Sequence, residues 1–475
     1  MIILKNSTAG NKLLKGTVVY MAGSVLSKIL QLAILPLITA VLLKEEYGYY
    51  DLIVTTISLV MPIITLQIIE ALFRFMFSAN DEEKRRILST TFLFLIAGII
   101  VLSLLILIIS IFTDIIKYPI LIVLYYGTYI LLVFYQKVCR SMQRNSLFAI
   151  SGVLNTFVLL SIEAITLLIF DFAVDGLLLA QIISNLICIL YLELKIKLFK
   201  TISFYYVKTD TIKSMLHFSL PLIPNSISWW FVNSVNKYII ALFLDVGVNG
   251  IFSIASKFPQ LLTFITSVFQ MAWQESAIME QSSENRDKFY SIVFNNYMNL
   301  LFSGLIIVLP VIKLIFPLLV AESYRGGIIY IPILLLGSVF SSFSQFYGTG
   351  YLVFGKTSGA FSTTILAAIT NISVSIILIP HFGLFGPAIG TMLAYLIQWI
   401  YRIFQMKEYF KVEINKKSLI LHIFLSLIYI VGYYIFDSII SQIIMIIVAL
   451  IIFMYTNFNL ILSLMHKFIN INSKN

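Results

Sequence analysis

Four basic side chains stand inside otherwise apolar runs, and each has polar neighbours at helical spacing. Lys28 lies between Ser24 and Gln31 as an i, i+4, i+7 stripe in a run over 16–43. Gln67, Glu70 and Arg74 repeat the pattern, with Glu70 and Arg74 at the separation that suits an ion pair within one helix. Asn225, Trp229, Asn233, Asn236 and Lys237 follow one slowly drifting face of a third run, whose start Pro221 and Pro224 bend. Ser253, Lys257, Gln260, Ser267 and Gln274 mark a fourth. A charge at the centre of a bilayer costs about 2.5–3.5 kcal/mol on insertion scales, so these residues face a protein interior or a wet cavity unless they can snorkel. For Arg74, Lys237 and Lys257 both readings stand. Glu163, with Asn155 and Thr166, gives a further run a polar side suited to an interhelical hydrogen bond or an ion. Lys28, Arg74, Lys237 and Lys257 outnumber Glu70, Glu163 and Glu275, and a cation-lined cavity suits an anion, phosphate above all.

Other chemistries find less support. Gly350-Tyr351-Leu352-Val353-Phe354-Gly355-Lys356-Thr357 fits the GxxxxGK[ST] expression, but a phosphate loop needs a strand, an exposed loop and a helix. Here the stretch ends one apolar run and turns into the next. His217, His381, His422 and His466 have no metal-ligand spacing, and Cys139 and Cys188 form no paired pattern. No motif requires a cofactor. Connecting segments are too short to fold over a catalytic centre, which ranks a membrane glycosyltransferase or polymerase last.

The elements that must position these residues follow from composition. Of the residues, 60% are hydrophobic and 11% charged, far below the roughly 25% charged of soluble domains. The fold class expected is an all-α polytopic membrane protein. Apolar runs at 16–43, 47–77, 87–113, 119–138, 147–170, 176–194, 215–243, 250–278, 289–319, 328–354, 358–379, 387–406, 418–436 and 441–464 suggest about fourteen spans of about 20 residues or more. The run after Lys5, Lys12 and Lys15 is too long for a signal peptide and reads as a retained first helix. The net charge of +10 is dispersed in clusters between runs, which fits membrane topology better than a nucleic-acid partner. With the amino terminus inside, the cytoplasmic segments, run ends included, hold nearly all the remaining basic residues, Lys84, Arg85, Arg86, Lys137, Arg140 and Arg402 among them; the opposite side holds Lys44, Lys117 and Arg325. Both termini are therefore expected in the cytoplasm.

Two turns recur six helices apart. Leu42-Leu43-Lys44-Glu45-Glu46-Tyr47-Gly48 is echoed by Phe243-Leu244-Asp245-Val246-Gly247, and Val174-Asp175-Gly176-Leu177 by Leu384-Phe385-Gly386-Pro387. The expected organisation is a bundle over 1–200, a second over 201–410, and two added helices with a tail over 411–475, with a substrate path between parallel repeats.

Ser219-Leu220-Pro221-Leu222-Ile223-Pro224, Asn236-Lys237-Tyr238, Gly250-Ile251-Phe252-Ser253-Ile254-Ala255-Ser256-Lys257-Phe258 and Ala272-Trp273 together resemble the Wzx-type polysaccharide flippases, which belong with the multidrug and oligosaccharidyl-lipid exporters. The Glu45-Glu46-Tyr47-Gly48-Tyr49 and Gly383-Leu384-Phe385-Gly386-Pro387-Ala388 turns extend the likeness over the whole chain. The resemblance implies two pseudo-symmetric six-helix bundles in a V, as in the multidrug exporters, plus two helices in the cell membrane. It implies a lipid-linked oligosaccharide as substrate, membrane lipids around it, a coupling ion (H+ or Na+) and a polysaccharide polymerase as partner. In that reading Lys28, Arg74, Lys237 and Lys257 hold pyrophosphate, Gln31 and Glu70 complete their stripes, and Trp229, Asn233, Gln270 and Trp273 face sugar. The family often has Asp-Arg where this chain has Asn236-Lys237, which removes a titrating acid from that position. A small-molecule exporter on the same helical core is the alternative.

Overall fold

A computed structural model describes residues 30–77, 79–458 and 462, without the side chains of 264, 265 and 357. Among the described residues the regular structure is helical throughout, with no strand. Two compact units divide the chain, Met1–Trp230 and Phe231–Asn475. The division falls inside a helix, Ile223–Asn233.

Unit 1 contains α1 (Leu35–Val41), α2 (Lys44–Ile64), α3 (Ile68–Phe75), α4 (Asp81–Phe112), α5 (Pro119–Ser141), α6 (Asn145–Leu168), α7 (Val174–Ile196) and α8 (Thr209–Ser219), followed by α9 (Ile223–Asn233) across the divide. In unit 2 lie α10 (Val235–Phe243), α11 (Val246–Met279), α12 (Arg286–Leu319), α13 (Ile331–Val353), α14 (Thr357–Phe382), α15 (Phe385–Met406), α16 (Lys416–Ile435) and α17 (Ile439–Thr456). Eleven helices among the described residues are long and apolar enough to cross a bilayer. Their apolar surface is largely outward: only 17% of the most apolar stretch of α4 and 11% of that of α17 is buried. Water would not tolerate so much exposed hydrocarbon, whereas lipid solvates it at no cost. The chain is a multi-pass membrane protein.

The count falls short of fourteen for local reasons. The first expected span is described only from residue 30. The seventh is broken into α8, a 3-10 turn at Leu220–Leu222, α9 and α10. The twelfth, α15, carries Gln398, Trp399, Tyr401, Arg402 and Gln405, a polar load that lowers its hydropathy.

A second break interrupts the expected 47–77 helix. Pro62 cannot donate to the helix ladder, and α2 stops two residues later. Leu66 and Gln67 then adopt left-handed backbone, φ 45° and 55°, a costly conformation for residues other than glycine. Tertiary contacts hold it: Ser219 Oγ donates to the Leu66 carbonyl at 2.7 Å, and Gln67 Nε2 donates to Ser226 Oγ at 2.7 Å.

The repeated turns have the same structural work in both units. Glu46 accepts from the Leu43 N–H at 2.9 Å at the head of α2, and Asp245 accepts from the Val248 N–H at 2.8 Å at the head of α11. Gly176 and Gly386 each sit where a Cβ would strike the segment just before their helix, 2.8 Å from Phe172 Cβ in one case and 2.7 Å from the Ile379 nitrogen in the other. The added helices α16 and α17 pack on α12 of unit 2. Asn299 Oδ1 accepts from Ser418 Oγ at 2.7 Å, and Asn457 donates to Ser303 Oγ at 2.9 Å. Lys313 pairs with Asp437 at 2.8 Å and donates to the Phe436 carbonyl at 2.9 Å, closing the turn between them.

Candidate functional site: a cationic cluster in unit 1

The break at Leu66–Gln67 sets α3 as a separate two-turn helix against α5 and α8. Glu70 therefore meets a neighbour on another helix. Lys137 of α5, 15% exposed, holds it at 2.7 Å, so the expected Glu70–Arg74 pair is not formed. The Glu70–Lys137 contact wins because Lys137 must leave water to pack on α3, and a carboxylate is the partner that offsets that loss. Arg74 stays exposed, its guanidinium 4.7 Å from the Phe218 ring. Lys137 and Arg140 both lie over the Phe73 ring, at 5.1 and 5.2 Å, and Arg140 also covers Phe148 at 5.5 Å. Glu70 thus pairs with Lys137 alone, while Arg74 of α3 and Arg140 of α5 lie against aromatic rings. Lys137 and Arg140, expected at and just beyond the cytoplasmic end of the 119–138 run, belong to the last turns of α5.

The other expected site residues belong to both units. Lys28 lies outside the described residues. Gln31 is half-buried just before α1, and Trp229 is half-buried on α9. In unit 2, Asn233 is exposed and accepts from Tyr395 Oη at 2.5 Å, while Lys237 and Lys257 are half-buried on α10 and α11. Gln270 donates to the Gln345 carbonyl at 2.8 Å and Thr349 Oγ1 at 2.6 Å, which ties α11 to α13. Trp273 is 3% exposed, stacked 4.1 Å from Phe346 and donating to that residue's carbonyl at 3.1 Å. Its indole is core of unit 2 and offers no open face to sugar.

Asn236 organises a buried network. Its amide nitrogen donates toward Asn371 Oδ1 at 3.0 Å, the Pro387 carbonyl at 3.0 Å and Thr391 Oγ1 at 2.8 Å, and its oxygen accepts from Ser375 Oγ at 3.0 Å. Asn371 in turn donates to the Val232 carbonyl at 3.0 Å. The amide joins α10, α14 and α15 without a charge.

Arg402, counted with the cytoplasmic basic residues at the end of the expected 387–406 run, is instead a buried residue of α15, 3% exposed. Its Nε donates to Thr363 Oγ1 at 3.1 Å, its Nη1 to the Ser344 carbonyl at 2.8 Å, and the guanidinium lies 5.6 Å from the Tyr351 ring. Position one turn from the end of α15 places the cation near the negative pole of its own helix. Gly348 makes room: a Cβ there would stand 2.5 Å from Nη1. Gln398, Arg402 and Gln405 have the same polar spacing that singled out the other stripes, and that spacing is the signal that could have found it. The GxxxxGK stretch is the end of α13, a turn and the start of α14, with no strand before it.

Residues 13–278, more than half of the 475, match the model of a family described as polysaccharide biosynthesis protein. Among solved structures the chain is similar to the lipid II flippase MurJ in an inward closed conformation, at 17% identity over 94% of this chain and 100% of that one, with a TM-score of 0.65. It is also similar to an inward-facing multidrug resistance MATE family transporter of the MOP superfamily, at 14% identity over 83% of this chain and 98% of that one, TM-score 0.64. At these identities the likeness is one of fold. No curated protein matches by sequence. With its apolar helices, its paired turns and its match to that model, the chain belongs to the polysaccharide biosynthesis protein family.

Proposed function

We propose that this protein moves a polyprenyl-pyrophosphate-linked oligosaccharide repeat unit from the cytoplasmic to the outer leaflet for the assembly of a surface polysaccharide. The observation that carries the reading is the surplus of positive charge at α3 and α5, where Glu70 answers only one of Arg74, Lys137 and Arg140. Pyrophosphate has the charge and the oxygens to take up the remainder. Membership of the polysaccharide biosynthesis family and a fold like that of a lipid II flippase support the same direction. In this reading Lys28, Arg74, Lys237 and Lys257 bind the pyrophosphate in turn, Gln31 orients Lys28, Glu70 holds Lys137 and leaves Arg74 to the substrate, and Trp229, Asn233 and Gln270 meet sugar. Alternating access carries the head group across while the tail stays in lipid, driven by H+, Na+ or the membrane potential, with delivery to a polysaccharide polymerase. Both termini lie in the cytoplasm.

Lys28→Ala and Arg74→Ala tested singly in a cell that depends on the protein should abolish surface glycan while the protein stays at wild-type level in the membrane. Wild-type glycan from both variants would overturn the role of these cations. The likeness to multidrug transporters favours a second reading, export of small molecules. It requires a deletion strain to become sensitive to several unrelated drugs while keeping its glycan.

A further inference from the structure

We propose that unit 1 also binds an amine-bearing phospholipid headgroup, in a cavity of about 310 Å³ where the end of α3, the head of α4 and α8 meet. The site is separate from the Glu70–Lys137 pair and does not depend on the transport reading. α4 opens with Asp81-Glu82-Glu83-Lys84-Arg85-Arg86 and becomes apolar and buried at Ile87, so the cavity lies at the depth where polar chain gives way to hydrocarbon. That is where lipid phosphates and amines reside.

The lining matches both charges of such a headgroup. Arg86 pairs with Glu82 through Nη2, and its guanidinium, on a side chain 29% exposed, lines the cavity. A guanidinium keeps donors beyond the one that a single carboxylate oxygen takes, and a phosphate oxygen suits its planar geometry. Thr211 lines the same cavity and supplies a hydroxyl donor to the phosphate. Each donor has an acceptor three residues away on its own helix. Glu83 uses one carboxylate oxygen to accept from the Asn80 N–H at 2.8 Å, and the other can take an ammonium N–H. Ser214 Oγ spends its proton on the Thr211 carbonyl at 3.0 Å and keeps its lone pairs. Phe75 and Ile87 give the glycerol end an apolar wall. Phosphoethanolamine satisfies both sets. Phosphoglycerol has no cation for Glu83, and the quaternary nitrogen of phosphocholine has no N–H to donate.

Delipidated full-length protein in neutral detergent, titrated with phosphatidylethanolamine, phosphatidylglycerol or phosphatidylcholine and read by native mass spectrometry, tests the assignment. Wild type should retain phosphatidylethanolamine about fivefold or more over the other two. Glu83→Gln should erase that preference, and Arg86→Gln should lower retention of all three, each with unchanged helicity and thermal midpoint. If Arg86→Gln fails to fold, Thr211→Val should weaken phosphatidylethanolamine two- to threefold. Equal or greater retention of phosphatidylglycerol by wild type, or a preference that survives Glu83→Gln, would overturn the proposal, the first result pointing to nonspecific attraction by surface arginines and lysines.

Discussion

At the scale of single residues, the chain separates cations that are fully partnered from cations that retain exposure. Arg402 is buried among neutral oxygens, with Thr363, the Ser344 carbonyl and the Tyr351 ring around it. Removing it leaves a cavity and unpaired polar atoms, so Arg402→Ala should cost about 2–4 kcal/mol, read as a lowered thermal midpoint in detergent. Gly348→Ala should reproduce part of that loss, because the new methyl must push the guanidinium off its acceptors. Asn236 provides an opposite case. Its NH2 faces three oxygens, so Asn236→Asp would set a carboxylate against acceptors and destabilise the network by about 2 kcal/mol or more at neutral pH. Protonation restores one donor, so the variant should regain midpoint as pH falls while wild type stays level over the same range. A deficit that does not change with pH would remove this account of position 236. The stripe holding Glu70 and Arg74 was legible from spacing, but its partner was not: an i, i+4 rule sees one helix, and Lys137 arrives from 67 residues beyond Glu70 in the sequence by tertiary packing.

Among the elements, apolar runs located most helices to within a few residues, since 20 apolar residues in lipid have little choice but helix. α6 was expected over 147–170 and spans Asn145–Leu168. The failure at Leu66–Gln67 has a physical cause. Neither residue is a glycine, so nothing local signals positive φ, and the break is held by Ser219 and Ser226 from far along the chain. Ser219 is wholly buried and its hydroxyl satisfies a carbonyl that the helix has released. Ser219→Ala should therefore cost about 1–3 kcal/mol, more than an ordinary exposed serine, and speed hydrogen exchange at the start of α3. Unaltered exchange there would show that the kink is maintained by packing alone. Pro221 and Pro224, by contrast, announced the discontinuity between α8 and α9 from sequence.

For the whole molecule, the distribution of lysine and arginine fixes an expected orientation that can be measured. Cys139 and Cys188 are both buried, so the native chain should react slowly with a membrane-impermeant maleimide. Single cysteines at Lys84 and Lys356 should label only after permeabilisation, and one at Lys117 should label in intact cells; the reverse pattern would invert the topology. Membrane class and repeat were readable because they are written in runs and turns. Which polar stripes converge was not, because a stripe specifies a face of a helix and says nothing of what that face meets.

The fastening of α16 and α17 to α12 has a practical use. Asn299, Ser303 and Lys313 anchor them at several heights, while most of α17 looks outward. A fluorophore or spin label on that outward face, at Ile447 for example, would ride on the frame of unit 2 without disturbing its polar interior. Paired with a second label on the outward side of α4, it would make an unobtrusive ruler for testing whether the distance between the two labels changes when a lipid-linked glycan is added.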